Sequence, residues 1–318
     1  MADGELFDCC VHLLDIFQET EGVDMLLKCM EENRVTRAAV CGTPVTKKWD
    51  NTEKERPKGA FQDTGRVYFF TATDEMIADE LQEYEDQTAI ESKIVPMACG
   101  FNPTDNFASK HLKRVLSKFP GFWGGVGELY MRYSEISMLT NEEVTRCNHP
   151  AMRDIYKLCS EKEIPVVVHS NASSESAKPY AVGYEYTHEF ASVLEEHRNL
   201  KMLLNGCGMF ERGKFQPPYE DELMHNLVKY PNLFLGVTSW TIEGCQNAMS
   251  NETLVTVVDL NPTRFVLSTD CPGNLLSTEY NRRVSILRDF VRKLKPETQE
   301  LVMCKNAEEL YRGRVFGK

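Results

Sequence analysis

The sequence predicts an α/β chain folded as a (β/α)8 barrel of the TIM type, with long insertions after the second and fourth strands. Three observations carry that expectation. Eight short apolar runs alternate with helical segments along 318 residues, about the strand–helix count and length of such a barrel. Each run is nearly continuous in apolar side chains, as in strands of a parallel sheet buried on both faces. No glycine-rich phosphate loop follows the first run, which weakens the doubly wound alternative.

The first run, ELFDCCVHLL from Glu5, leads into VDMLLKCMEEN, whose apolar residues recur every three and four positions and so predict a helix. The second, VTRAAVCG from Val35, is followed by Thr43 to Arg66, a polar stretch with Pro and Gly that reads as a long loop. The third, KIVPMACGF from Lys93, ends in the Asn-Pro turn chemistry of FNPTDN. The fourth, FWGGVGELYM from Phe122, precedes the second insertion, Arg132 to His149. IPVVVHS from Ile164, LKMLLNGCG from Leu200, NLFLGVTSW from Asn232 and RFVLSTD from Arg264 complete the set. Between them lie helical stretches such as HPAMRDIYKLCSEKE, YTHEFASVLEEH and YEDELMHNLVKY. Residues 1–318 read as a single barrel domain, with a helical C-terminal segment at about 296–318. Loops as long as the two insertions usually serve as lids or binding sites, and both follow strand ends, where a barrel carries its active site.

Composition narrows the function. Lys and Arg total 36 against 48 Asp and Glu, a net charge of -12, which repels phosphate backbones and argues against nucleic-acid binding. No apolar run approaches the roughly 20 residues that cross a bilayer, and the first residues lack the basic region of a secretory signal. The 11 cysteines are odd in number and show no CxxC pair, so a cytoplasmic protein with reduced, mostly buried thiols is expected. A G-x-S-x-G elbow, a Walker loop, HExxH and an EF-hand loop are all missing.

Polar residues collect at the C-terminal ends of the apolar runs. The first ends in Asp8, Cys10 and His12, the fourth in Glu128, the fifth in His169, the sixth in Asn205 and the eighth in Asp270. Cys10 and His12 are two apart and can share one face of a strand. Imidazole, carboxylate and thiolate groups converging on one barrel mouth suit one divalent metal ion, zinc above all. Each residue also has a blander reading. His12 could be a satisfied buried histidine and Cys10 an inert thiol. Asp270 could cap a turn, Glu128 could pair with Arg132, and Asn205 could be a turn residue. Trp240, at the end of the seventh run, stacks a substrate if exposed at the mouth and is core if covered. Lys178, after the fifth run, could pair a substrate carboxylate or sit in solvent. The other histidines, such as His111, His188, His197 and His225, fall on helical stretches and read as surface or packing residues.

The order and spacing of these segments resemble the amidohydrolase superfamily of metal-dependent barrels, in its amidohydrolase-2 branch. DCCVHL stands where the family reads D-x-H-x-H-L, GVGELYM resembles its G-x-G-E segment, and IPVVVHS its fifth-strand histidine segment. LLNGCG stands where the family reads H-x-G, RFVLSTDCPG resembles F-x-x-G-[ST]-D-x-P, and NAEELY resembles the closing N-A-x-x-L-[FY]. The resemblance spans about Asp8 to about Arg312. It implies a metal held by some of Cys10, His12, Glu128, His169 and Asp270, with Asp270 as the proton acceptor. Asn205 and Trp240 fall to the substrate, with Lys178 beside them. It further implies a hydrolase in which a metal-activated water attacks a small amide, lactone or related carbonyl compound. A homodimer is expected on the resemblance alone.

Two departures keep alternatives open. Cys10 replaces the first histidine of the pair, and Asn205 replaces the sixth-strand histidine. A thiolate still suits zinc, whereas an amide is a poor ligand and no base near neutral pH. A two-metal site is therefore disfavoured. A decarboxylase or other lyase on the same barrel, and a non-catalytic barrel that has lost its metal, remain as the other readings.

Overall fold

A computed structural model describes residues 4–44, 70–133, 144–172, 186–209, 217–246 and 251–312. Eight strands form the barrel: β1 Leu6–Leu14, β2 Val35–Gly42, β3 Ile94–Ala98, β4 Gly125–Met131, β5 Val166–Ser170, β6 Met202–Asn205, β7 Leu233–Thr238 and β8 Phe265–Ser268. All neighbours pair in parallel, and β1 pairs with both β2 and β8, which closes the ring. A two-residue strand, β9 (Cys271–Pro272), continues beyond β8 and pairs with β1. The continuous apolar runs are what this closure requires. Every residue of β3, β5, β6, β7 and β8 is buried, one face against the barrel interior and the other against the helices.

Helices follow the strands in the expected rhythm. The stretch VDMLLKCMEEN lies in α1 (Gly22–Glu32), which buries Val23, Leu26, Cys29 and Met30 at helical spacing. The chain continues with α2 (Thr73–Gln82), α3 (Gln87–Lys93), α4 (Ala108–Lys118), α5 (Arg153–Glu161), α6 (Thr187–Glu196), α7 (Pro217–Lys229), α8 (Ser239–Gln246), α9 (Asn251–Leu260) and α10 (Leu276–Val291). In α10 the buried stripe Leu276, Tyr280, Val284, Leu287 and Val291 faces the barrel; each such side chain contributes roughly 1.5–3 kcal/mol on burial. From Pro296 to Leu310 the chain is helical: α11 (Pro296–Glu300), a π turn over Leu301–Lys305 and α12 (Asn306–Leu310). Tyr311 then stacks on Phe7 of β1 at 5.4 Å between ring centroids and donates its hydroxyl to the Cys9 carbonyl at 3.3 Å. The tail is thereby fastened across the start of the barrel.

The cysteines whose side chains are described are buried and free of disulfides. No helix among the described residues is long and apolar enough to cross a membrane. Most of Thr43 to Arg66, and 134–143 of the second insertion, lie outside the described residues.

Candidate metal centre

Parallel strands deliver their C-terminal residues to one mouth, and register decides which meet. His12 on β1 lies opposite Cys41 on β2. Tyr130 on β4 lies opposite His169 on β5, which lies opposite Asn205 on β6, which lies opposite Gly236 on β7. Gly236 must be glycine: a Cβ there would stand 2.5 Å from Asn205 Oδ1. Glu128, two residues before Tyr130, faces the same interior.

Asp270 comes from the turn after β8, at φ 54°, a left-handed conformation that Asp tolerates better than most residues. Its N–H donates to the Cys10 carbonyl at 3.0 Å. The preceding Thr269 is fixed by Asp8, which accepts from the Thr269 N–H at 2.8 Å and its hydroxyl at 2.6 Å. Asp8 also accepts the Tyr280 hydroxyl at 3.1 Å. It thus points toward α10 although it lies two residues before Cys10, because the β1–β2 register shifts between Asp8 and Val11. Burial raises the Asp8 carboxyl to about 6 against the lowering effect of those hydrogen bonds.

His12 is the hub. Its Nε2 lies 3.0 Å from Asp270 Oδ1, 3.1 Å from Glu128 Oε2 and 3.6 Å from Cys10 Sγ. Its Nδ1 lies 3.5 Å from Cys41 Sγ and 3.4 Å from Thr43 Oγ1. Glu128 Oε1 accepts from Asn205 Nδ2 at 2.8 Å and lies 3.9 Å from His169 Nδ1. Asp270 Oδ2 accepts from Trp240 Nε1 at 2.7 Å. Donor atoms of Cys10, His12, Glu128 and Asp270 all lie within 4.8 Å of one another, and those of Cys10, His12 and Cys41 form a second, overlapping group. Thiol, imidazole and carboxylate at such separations fit one divalent cation. His169 belongs to neither group.

The charges follow from this packing. Burial opposes a positive His12, but Cys41, Tyr130, Cys10 and the Asp270 hydrogen bond outweigh it and hold its pKa well above the usual imidazole range. Burial likewise opposes an ionised Asp270, yet the His12 hydrogen bond and charge, His169 and Trp240 hold its carboxyl well below the usual range. The hydrogen bond between the two thiols pulls Cys41 down to about 6 against burial, with His12 assisting, and pushes Cys10 up. The raised His12 pKa sets a proton in competition with any cation that binds there.

The hub forms the floor of a cavity of about 410 Å³. Its walls include Tyr130, Tyr133, His169 and Trp240, with the other three rings each 5.4 to 6.0 Å from the His169 ring. Trp240 is not on the seventh strand but in the first turn of α8, and it lies against Gly206, where any Cβ would collide with the indole at 2.2 Å. Asn205 does not line the cavity; its amide N–H goes to Glu128 and its Oδ1 lies against Gly236 without a hydrogen-bond partner among the described residues. Glu128 does not pair with Arg132, whose guanidinium turns to Glu189 with an N–O distance of 2.9 Å. Lys178 lies outside the described residues.

Cys41 and Tyr130 were missed by reading the sequence. In VTRAAVCG a thiol reads as one more small apolar residue. The alternation that places Glu128 inside the barrel also places Tyr130 there, and that signal was present.

A family profile described as Amidohydrolase matches residues 102–313. Among solved structures, a probable 2-pyrone-4,6-dicarboxylic acid hydrolase from Acinetobacter baumannii is 13% identical, with a TM-score of 0.61 over 96% of this chain and 99% of that one. An amidohydrolase from Burkholderia multivorans with bound zinc is 10% identical, with a TM-score of 0.60 over 97% and 99%. A 2,6-dihydroxybenzoate decarboxylase from Rhizobium is 12% identical, with a TM-score of 0.54 over 97% and 99%. At these identities the structural likeness establishes the barrel and its closure. No curated protein sequence matches the chain.

Proposed function

The chain belongs to the amidohydrolase family, and from that premise we propose that it is a zinc-dependent hydrolase of a small, flat carbonyl compound, a lactone or an amide. The observation that carries the reading is the convergence of Asp270, Glu128 and Cys10 on His12 Nε2 at the floor of a cavity walled by aromatic rings. Cys10, His12, Glu128 and Asp270 are the residues that would hold the ion. When bound, a divalent cation supplies Lewis-acid polarisation of a substrate oxygen and acidifies a water toward neutral pH.

The chain's own groups supply the rest. Asp270, kept ionised by His12 and Trp240, takes up the proton released as water adds to the carbonyl carbon. Trp240 holds Oδ2 still and leaves Asp270 one orientation. Asn205 does the same for Glu128. Tyr130, Tyr133 and Trp240 offer flat faces to a conjugated or ring substrate, which favours lactones and cyclic amides over flexible chains. His169 lines the cavity with a buried Nε2 that has no hydrogen-bond partner among the described residues, a donor or acceptor suited to a polar atom of the substrate. The Acinetobacter protein is described as a probable 2-pyrone-4,6-dicarboxylic acid hydrolase, and a 2-pyrone is a lactone.

The test is elemental mass spectrometry of protein purified without chelators or a histidine tag, followed by a pH-stat screen of lactones and amides. Near one zinc per chain and turnover lost in His12→Ala support the reading. Stoichiometric metal with carbon dioxide release from carboxylates, and no hydrolysis, would move it to a lyase. No metal after reconstitution would overturn it.

A further inference from the structure

The carboxylate-bearing group is not the whole of the centre. Cys41 closes β2 directly opposite His12, and Cys10 lies two residues earlier on the same face of β1. All three side chains are buried: Cys10 and Cys41 are each 2% exposed and His12 is 5% exposed. Cys10 Sγ stands 3.6 Å from His12 Nε2 and Cys41 Sγ 3.5 Å from His12 Nδ1. A tetrahedral zinc ion with its usual bonds to sulfur and nitrogen, about 2.3 and 2.0–2.1 Å, sets those two atoms roughly 3.5–3.6 Å apart. One ion bonds a single imidazole nitrogen, and one ring nitrogen of His12 and both sulfurs lie within 4.8 Å of one another, close enough for one ion to gather all three.

We infer that Cys41 is a metal ligand: the cation at His12 is held by two thiolates, Cys10 and Cys41, together with the imidazole. Glu128 and Asp270 face the same imidazole from the cavity side, in the group that does not include Cys41. This rests on the proposed metal dependence and deepens it, because it fixes the class of ion. Two thiolates and an imidazole select zinc and similarly thiophilic cations, and discriminate against magnesium, manganese and calcium, which an oxygen-rich site would accept. It also gives a reason for the cysteine at position 10. One thiol beside carboxylates would be a weak substitute for histidine; paired with Cys41 it belongs to a different donor set.

The experiment uses full-length protein stripped with a chelator and titrated with Co²⁺. The result expected is a sulfur-to-cobalt charge-transfer band in the near ultraviolet, abolished by Zn²⁺ and untouched by Mg²⁺ or Mn²⁺. The band falls to about half in Cys41→Ser and in Cys10→Ser. X-ray absorption on zinc-loaded wild-type protein then shows two sulfur scatterers at about 2.3 Å, a count that stands even if a cysteine variant fails to fold. Cobalt that binds without this band, unchanged in Cys41→Ser and lost in Asp270→Asn, would overturn the role of Cys41 and leave the metal-dependent hydrolase standing. Failure to bind either cobalt or zinc would overturn both.

Discussion

The two halves of the barrel mouth are built differently. On the side of β1, β2 and the turn after β8, the donors gathered on His12 are engaged with one another: His12 touches Asp270, Glu128, Cys10, Cys41 and Thr43, and Asp270 is further tied to Trp240. On the side of β5 and β6, three buried atoms, His169 Nε2, Asn171 Oδ1 and Asn205 Oδ1, have no hydrogen-bond partner among the described residues. A buried polar atom left unpaired costs roughly 1–3 kcal/mol, so a fold keeps one where something else satisfies it or where function needs it. The first half is arranged to hold a charge in place. The second half is arranged to receive a ligand, and of its three orphans His169 is the one that lines the cavity.

Removing the hub should break the comparison most completely. His12→Ala deletes the atom that all other donors address. Changing a group that merely supports a ligand costs about 10–100-fold in metal affinity, so losing the ligand should exceed about 100-fold. Isothermal titration with zinc would read it. The wild-type protein should bind zinc more tightly as pH rises, by about tenfold per unit for each proton displaced. The sign follows from the raised His12 pKa, since the cation needs the neutral imidazole and competes with its proton. Affinity independent of pH between about 6 and 8 would contradict that competition.

His169→Ala should separate the halves. If His169 serves the substrate and not the ion, zinc stays stoichiometric while kcat/KM falls by about 10²-fold or more, the usual scale for a positioned proton donor or acceptor. Loss of zinc from the variant would instead return His169 to the ligand set that the family resemblance implies.

The contrast between the halves was only partly legible in the sequence. The strands were readable because closure buries both faces, and an apolar run such as PVVV before His169 has little other use. The strand-end residues were readable because they interrupt such runs. Cys41 was hidden because sulfur ends an apolar run without interrupting it, and its meaning depends on the cross-strand register with His12, which no local pattern encodes. Asn205 was placed correctly at the end of its strand. Its contact with Glu128, on β4, depends on how the barrel closes. Trp240 was displaced because the chain turns helical at Ser239, directly after the strand, in a segment whose residues favour either state.

A smaller effect is expected from Trp240→Phe, which keeps the aromatic wall but removes the N–H that Asp270 Oδ2 accepts. Asp270 is held low partly by that bond, so its pKa should rise toward the ordinary carboxylate range. The acid limb of the rate profile should then move to higher pH by about one unit, the scale of one charge-assisted hydrogen bond, with the rate near pH 8 little changed. An unmoved acid limb would mean that another group sets it.

The smallest effect on the centre, none, should come from an orphan outside the mouth. Asp74, in the first turn of α2, receives the Cys99 and Gly100 N–H groups on Oδ1 at 2.8 and 2.9 Å, while its buried Oδ2 has no hydrogen-bond partner among the described residues. It does not line the cavity. Burial raises its carboxyl to about 7, with the two N–H donors working the other way. The folded protein therefore holds a proton that the unfolded chain releases near pH 4. As pH rises from about 4 to about 7 that proton must be given up in a site that disfavours the charge, so stability falls across this window and levels off above it. Asp74→Asn keeps the Oδ1 acceptor and cannot ionise. It should remove this fall, on the order of a few kcal/mol above pH 7, while zinc content and kcat stay as in the wild type. Urea midpoints measured from pH 4 to 8 would show it. If Asp74→Asn follows the wild-type curve, Asp74 is ionised throughout, and an unpaired buried oxygen in this molecule does not by itself separate a strained structural group from one awaiting a ligand.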